Sequence, residues 1–106
     1  MIQPENAHAQ LESGVVYALS AALLEEFAVK DGAVQASNFN DYPVPRMSDL
    51  PEIHTRLVDS GAAPTGMGEL SVPQVAPAIA NALFGLTGKR LRHLPLSPER
   101  VKKALA

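Results

Sequence analysis

Cysteine and tryptophan are absent from this chain, and aromatic residues make up only 5% of its 106 positions. Without cysteine the chain has no disulfide, no thiolate-ligated zinc or iron–sulfur cluster, and no cysteine nucleophile. With so few aromatic rings, a core must be built mainly from aliphatic side chains. The absence of cysteine does not indicate a redox compartment, because a cysteine-free protein is compatible with both oxidising and reducing environments.

Histidine is also scarce, and its arrangement argues against metal binding and hydrolysis. The three histidines are His8, His54 and His93, and none is paired with a second histidine at helical spacing. We therefore predict no metal site built from side chains. Ser48, Asp49 and His54 include the residue types of a hydrolase triad, but the chain has no nucleophile elbow to present the serine.

The composition is that of one small globular domain. Hydrophobic residues account for 46% of the chain and charged residues for 19%, which argues against disorder. We predict a single domain over residues 1–106, too small to enclose a cofactor on every side. The apolar runs 15–24 and 75–86 are too short and too interrupted to span a bilayer, and the first residues do not have the pattern of a signal peptide.

Positive charge is concentrated near the end of the sequence. The net charge is −2, yet six of the nine basic residues follow Gly88, namely Lys89, Arg90, Arg92, Arg100, Lys102 and Lys103. Such a cluster is typical of a solvated tail with a favourable helix C-terminus. An alternative interpretation is a patch that binds an anionic partner.

Hydrophobic periodicity predicts two main helices. The first spans residues 5–26, where Leu11, Val15, Leu19 and Leu23 recur at helical spacing. The second spans residues 73–86 and has its apolar face at Val75, Ile79, Leu83 and Leu86. Gly88 is a natural stop for it. A short third helix is expected after Ser97, an N-cap residue followed by proline at the first helical position.

Between the helices the pattern changes to that of strands and loops. Two short runs flank Asp31-Gly32, which is a hairpin signal, and residues 53–58 alternate in polarity as a strand does. Residues 37–47 are predicted to be irregular, and residues 60–72 to form a loop. The predicted fold is α+β, with two main helices packed on a small sheet that includes a hairpin, followed by the short C-terminal helix.

Two stretches carry candidate chemistry. In the Gly66-Met67-Gly68-Glu69 loop, glycine lets the backbone turn tightly and approach a ligand. Glu69 precedes a helix, so it suits either a structural acid at the helix start or a general base. In the first helix, Gln10 is close to Ser13-Gly14, and its amide both donates and accepts hydrogen bonds, as a heterocycle edge requires. A mid-helix glycine costs about 1 kcal/mol relative to alanine, which is tolerable where something approaches the backbone closely.

These stretches occur in an order that resembles one protein family. The segments are residues 9–14 (AQLESG), 37–43 (SNFNDYP), 66–69 (GMGE) and 76–84 (APAIANALF). Together they resemble the C-terminal part of the molybdopterin-binding large subunit of xanthine dehydrogenase-type molybdenum hydroxylases. The branch that includes isoquinoline 1-oxidoreductase and membrane-bound aldehyde dehydrogenases is the most similar, and residues 88–92 and 94–96 match the way that branch ends. The resemblance covers nearly the whole chain.

The resemblance implies roles for particular residues. Glu69 matches the family's general-base glutamate, which removes a proton so that a water-derived oxygen attacks an electron-poor carbon of an N-heterocycle or aldehyde. Gln10 matches the glutamine that contacts the pterin of the molybdenum cofactor. Ser13, Gly14 and Gly68 would allow close approach to that cofactor. One departure is Leu70, since the family usually has proline after the glutamate.

The resemblance also implies partners. The family's other cofactor-binding loops lie outside a stretch of this length, and its iron–sulfur clusters lie on another subunit or domain, in agreement with the absence of cysteine. We therefore expect the chain to act with the remainder of a large subunit and an iron–sulfur subunit, and to be inactive and without cofactor alone. Two alternatives are a non-catalytic domain of the same descent that self-associates and an anion-binding module that uses the basic tail. Nucleic acid is not an expected partner. The sequence predicts no particular cellular compartment, although the resembling branch is often periplasmic or membrane-associated.

Overall fold

A computed structural model describes residues 2–106 and contains three helices and one small sheet. In chain order the elements are α1 (Pro4–Leu23), β1 (Val29–Lys30), β2 (Ala33–Val34), a 3-10 turn (Met47–Asp49), α2 (Val72–Thr87) and α3 (Pro98–Leu105). The two strands form an antiparallel pair. The predicted α+β class is therefore confirmed, and the main packing is between α1 and α2.

Helix α1 presents a stripe of small residues to the rest of the chain. Its buried positions include Ala7, Gly14, Ala18 and Ala22, which fall on one face at helical spacing. The helix ends at Leu23 and not at residue 26, because the N–H groups of Leu24 and Glu25 both bond to the Ser20 carbonyl and close the last turn. Small side chains along the stripe allow other backbones to approach α1 closely.

Helix α2 packs on α1 and ends where its glycine predicts. Gly88 has φ 69°, in the left-handed region, and donates its N–H to the Phe84 carbonyl. Val75, Ile79 and Leu83 are half-buried, as the apolar face requires. Leu86, predicted to lie on that face, is 84% exposed, so this part of the prediction is wrong. Leu86 lies in the last turn of α2, where its neighbours are exposed as well.

The segment before α3 joins the end of the chain to the end of α1. Leu91, Pro95 and Leu96 are buried, and the Leu96 N–H donates to the Ala22 carbonyl over 2.6 Å. Ser97 caps α3 as predicted, because its hydroxyl accepts the Arg100 N–H at 3.3 Å. These contacts fix residues 91–105 against α1 although the two lie far apart in sequence.

The predicted hairpin is present and short. Val29 pairs with Val34 and Lys30 with Ala33, around a turn in which both Asp31 and Gly32 have positive φ. Positive φ at both central positions is the type I′ geometry that Asp-Gly favours. All four paired residues are exposed, so the hairpin extends into solvent.

The predicted strand at residues 53–58 is absent from the part of the chain that the structure describes, and this prediction is wrong. The segment alternates in exposure as a strand would, with Ile53, Thr55 and Leu57 half-buried and the residues between them exposed. It has no neighbouring strand, however, and a strand is defined by its ladder of hydrogen bonds. The sequence pattern describes one face correctly, whereas the partner is not supplied by residues 2–106.

The molecule is extended for its length. Its radius of gyration is 16.9 Å, against about 13 Å for a compact domain of this size. Its accessible surface is 8322 Å², against about 5,700 Å² for a folded monomer of this mass. Within residues 2–106, no helix combines the length and apolar character needed to cross a membrane. Much surface that a compact domain would bury is thus exposed.

Candidate functional site

The start of α2 is fastened to the first half of α1 through Ser71. The Ser71 hydroxyl donates to the Leu11 carbonyl over 2.9 Å. Ser71 is also the residue before α2, so the bond fixes the point at which the glycine-rich loop becomes helix. A loop whose last residue is tied to α1 must end beside the segment that contains Gln10 and Gly14.

Gly14 makes this junction possible. It is buried, and a side chain built on it would collide with the Ser71 hydroxyl while lying 3.4 Å from Ser71 Cβ and 3.5 Å from Val72 Cγ2. A methyl group at position 14 would therefore displace the Ser71 hydroxyl from its bond to Leu11, whereas its contacts with Ser71 Cβ and Val72 would be ordinary. The sequence pattern indicated a close approach to this glycine, and within the chain the approaching residue is Ser71.

Glu69 lies on the loop immediately before α2. Its carbonyl accepts the Val72 N–H at 3.2 Å, which anchors the loop to the first helical residue. The side chain is exposed, and in residues 2–106 its carboxylate has no hydrogen-bond or ion-pair partner. The carboxylate is thus available to a group outside the chain.

The other predicted site residues are available as well. Gln10 and Ser13 are exposed on α1, and no side-chain hydrogen bond engages either of them among the described residues. Gly68 is exposed, and a side chain built there would meet nothing within 4 Å. Gln10, Glu69 and the open glycine loop therefore lie on the two elements that Ser71 joins, and the amide and the carboxylate are both unpaired among residues 2–106.

Ser71 is the residue that the sequence analysis missed. A serine one position before a helix is a recognisable N-cap signal. Here, however, the hydroxyl bonds to α1 and not to its own helix, so the cap makes no side-chain bond to α2. The long-range partner, 60 positions away, has no signature in local sequence.

The donor set fits an organic cofactor better than a bare metal ion. In the part of the chain that is described, no three His, Cys, Asp or Glu residues come together as a metal site. An amide, a carboxylate and glycine backbone are groups that hydrogen-bond a heterocycle and its substituents. The residues present thus fit the edge of a pterin, provided other walls of the pocket come from elsewhere.

A separate apolar groove lies beside the hairpin. It encloses about 530 Å³ and is lined by residues that include Phe27, Val34 and Phe39. Tyr42 lines it too, packs its ring 6.5 Å from that of Phe27, and donates to Glu25 Oε2 over 2.7 Å. That hydrogen bond to the carboxylate raises the pKa of the Tyr42 hydroxyl. This groove contains none of the predicted site residues.

The turn next to this groove is held by Asp41. Its carboxylate accepts the Ser37 N–H at 2.9 Å, the Ser37 hydroxyl at 3.0 Å and the Asn38 N–H at 2.9 Å. The backbone N–H of Ser37, followed by that of Asn38, holds the pKa of the Asp41 carboxyl below its ordinary value. The turn is thus a local structure that one ionised side chain organises.

The basic residues of the tail are partly engaged within the chain. Arg100 forms an ion pair with Glu26 at 2.8 Å and donates to the Pro95 carbonyl at 3.2 Å. Arg90 lies 3.8 Å from the centre of the Phe84 ring and bonds to the Asn81 side chain. Arg90 and Arg100 are thus engaged by groups of the same chain. This weakens the interpretation of the tail as an anion-binding patch.

Comparison with a family profile gives one match. The profile described as "Molybdopterin cofactor-binding domain" matches residues 1–51. This range contains α1 with Gln10, Ser13 and Gly14, together with the hairpin and the Asp41 turn. It stops before Gly68 and Glu69.

Similar proteins extend the match over the rest of the chain. Isoquinoline 1-oxidoreductase subunit beta of Brevundimonas diminuta is 48% identical over 96 residues, which cover 91% of this chain and 12% of that protein. A membrane-bound aldehyde dehydrogenase [pyrroloquinoline-quinone] of Gluconacetobacter polyoxogenes is 36% identical over 105 residues, which cover 99% of this chain and 14% of that protein. The chain thus spans about an eighth of the length of these curated relatives.

A solved structure has the same fold over the same range. The crystal structure of quinoline 2-oxidoreductase from Pseudomonas putida 86 superposes with a TM-score of 0.87 at 26% sequence identity. The superposition covers 99% of this chain and 14% of that one. The arrangement of α1, α2 and the segments between them therefore recurs inside a much larger polypeptide.

Proposed function

Because the chain belongs to the molybdopterin-binding large-subunit family of xanthine dehydrogenase-type molybdenum hydroxylases, we propose that it supplies a general base and a cofactor-contacting helix to such an enzyme. The observation that supports this most directly is the bond from Ser71 to the Leu11 carbonyl. It joins the loop of Glu69 to the helix of Gln10, which supports the proposal that the two groups act on one ligand. The proposed activity is hydroxylation of an N-heterocycle or an aldehyde.

Each residue has a defined task in this proposal. The carboxylate of Glu69 accepts a proton from the water-derived nucleophile, which a general base does within hydrogen-bond reach. The Gln10 amide donates to and accepts from the pterin edge. Ser13 offers its hydroxyl on the same helix. Gly14 lets Ser71 approach α1, and Gly68 lets the backbone before Glu69 approach the ligand.

The bound cofactor, molybdopterin with its molybdenum, would supply the two-electron oxidation that no side chain of this chain performs. The remaining walls of the pocket belong, in this proposal, to the remainder of a large subunit, and electrons leave through an iron–sulfur subunit. The extended shape and large exposed surface support a need for such a partner. Without it, the exposed carboxylate of Glu69 lies in water, and we expect neither cofactor binding nor turnover.

The test replaces the matching segment of Brevundimonas diminuta isoquinoline 1-oxidoreductase subunit beta with this chain. We expect the chimeric enzyme to bind molybdenum and to oxidise isoquinoline. Glu69→Gln keeps the size and hydrogen-bonding capacity of the side chain but removes the base. We expect it to lower kcat by roughly 10²–10⁴-fold while molybdenum content stays unchanged.

Glu99→Gln is the matched control, because Glu99 is an exposed carboxylate in the first turn of α3, outside the proposed site. It should leave kcat within about twofold of the parent chimera, as a surface substitution does. If Glu69→Gln turns over like Glu99→Gln, the assignment of the base is wrong. If the parent chimera assembles without molybdenum, the cofactor-contacting role is wrong as well.

The alternative of a non-catalytic domain that self-associates also has support in the exposed surface. The two functions differ in the partner that covers it. A self-sufficient domain forms stable oligomers of this chain alone, seen by sedimentation, and these stay intact when the remainder of a large subunit is added. A working segment exchanges into the heteromeric assembly and brings Glu69 with it.

A further inference from the structure

Residues 53–58 have the side-chain pattern of a strand laid on α1. Ile53, Thr55 and Leu57 are half-buried, whereas His54, Arg56 and Val58 face solvent. This alternation with a period of two is what a strand with one covered face produces. One of the two faces is thus already occupied within the chain.

A side-chain contact holds this segment in place. The Thr55 hydroxyl bonds to His8 Nδ1 on α1, 47 positions away in sequence. The contact is part-buried and lies in the middle of the alternating run. The segment is therefore fixed to α1 by its inner face, and its backbone is held extended beside the helix.

The backbone of the same segment is unpaired on both edges. Among residues 2–106, no backbone hydrogen bond involves any residue from 51 to 58. Folded proteins satisfy the great majority of their backbone N–H and C=O groups, and a strand with open edges readily accepts another strand. The segment thus has one half-buried face on α1 and two unpaired backbone edges, as a strand without its neighbours in a sheet would have.

The exposed surface of the chain indicates the size of the partner that binds this segment. The accessible surface exceeds that of a compact chain of equal mass by about 2,600 Å², which is the scale of an obligate interface. The excess extends beyond residues 53–58 to exposed side chains such as Phe39 and Met47. A second copy that pairs through six residues covers little of it. The relatives, in contrast, match this chain over only 12% and 14% of their length, so a large polypeptide is available in them.

We propose that residues 53–58 form an edge strand that pairs, backbone to backbone, with a strand in the remainder of the molybdenum-binding large subunit. This inference rests on the proposed function, since it names the part of the chain through which the partner is bound. In β-augmentation of this kind the main-chain bonds provide affinity, and the alternate side chains provide register. The pairing would also hold α1, and with it Gln10, against the body of the enzyme.

The probe is subunit beta of Brevundimonas diminuta isoquinoline 1-oxidoreductase, truncated by the segment that matches this chain, with the 106-residue chain added in trans. Amide hydrogen exchange is measured on the chain, free and in complex. We expect alternate amides within residues 53–58 to exchange at least about tenfold more slowly in the complex. Residues 61–63, a loop with no strand pattern that lies outside the Gly66–Glu69 loop, serve as the internal control and should stay fast.

Proline substitutions give a second readout. Thr55→Pro and Arg56→Pro remove N–H groups that point to opposite edges of the strand, so one of the two should weaken binding by roughly tenfold or more. Thr55→Ala, which loses the His8 contact but keeps the N–H, is the control for the first. Ala63→Pro, in the loop before Pro64, is the control for both and should bind like the parent.

The outcomes separate the two proposals. If the complex forms and the chimeric enzyme still requires Glu69, but residues 53–58 gain no protection and both prolines bind like the parent, the strand pairing is wrong and the proposed function stands. If the chimeric enzyme binds no molybdenum and the chain does not bind the truncated subunit, the proposed function fails, and the strand pairing fails with it. Alternate protection together with one sensitive proline supports the pairing.

Discussion

The two halves of this molecule are built in different ways. The packed half, α1 with α2 and residues 91–105, contains the buried core residues Ala7, Ala18, Ala22, Leu91 and Leu96. The open half, residues 27–70, contains no buried residue. The packed half is held by small side chains and backbone contacts that this chain supplies itself. The open half exposes more large apolar side chains than a soluble monomer usually does. Such surfaces are typical of contacts with other protein.

The largest expected effect tests this contrast directly. Leu96 is 5% exposed in the packed half, whereas Phe39 is 97% exposed in the open half. We expect Leu96→Ala to lower the free energy of unfolding of the chain by about 2–5 kcal/mol, because it leaves a cavity. Phe39→Ala should change it by no more than about 0.5 kcal/mol. Denaturant unfolding followed by circular dichroism measures both, and similar effects for the two variants would contradict the division into halves.

A second prediction sharpens the contrast at one contact of the packed half. Gly14→Ala gains helix propensity but collides with the Ser71 hydroxyl, so we expect a net loss of about 1–2 kcal/mol in the free energy of unfolding. Ser71→Ala costs about 1 kcal/mol through the lost bond to Leu11. In the double variant the remaining contacts of a methyl group at position 14 are ordinary. The double variant should therefore lose less free energy of unfolding than the two single variants lose together. Strictly additive losses would mean that residues 14 and 71 do not touch.

The smallest expected effect lies in the open half and depends on pH. Because hydrogen bonds hold the pKa of Asp41 below the ordinary value of 3.8, its ionised form stabilises the turn above that pH. This stabilisation is lost as pH falls through the lowered pKa of the folded state. The amide signals of Ser37 and Asn38 should shift in acid, below pH 3.8, with no loss of helix. In Asp41→Asn the shift should vanish, and the Gly88 amide, which bonds to the Phe84 carbonyl and not to this carboxylate, is the reference signal.

Local sequence was sufficient where local interactions decide the structure. The end of α2 at Gly88, the Ser97 cap and the hairpin at Asp31-Gly32 each follow from the conformational preference of one or two residues. The family resemblance, inferred from four ordered segments, is confirmed by the comparisons. The roles of Glu69 and Gln10 remain predictions.

Local sequence failed where the partner of a residue is distant. The alternation in residues 53–58 indicates one half-buried face. Whether a strand forms depends on a neighbouring strand, which residues 2–106 do not supply. Leu86 continues the apolar periodicity of α2, although none of the described residues 2–106 buries it. Ser71 has the local signature of a cap, while its bond to Leu11 depends on how α1 and α2 cross. Periodicity reports that a face is apolar and does not report what meets it.

The contact between Leu96 and Ala22 has a consequence for the order of folding. Local contacts within α1 form quickly, whereas the bond between these two residues requires the closure of a long loop. The Arg100–Glu26 ion pair closes a loop of similar length, 74 positions. During synthesis the Ala22 carbonyl therefore lacks its Leu96 partner until residues 96–100 have been made, so the end of α1 is completed late.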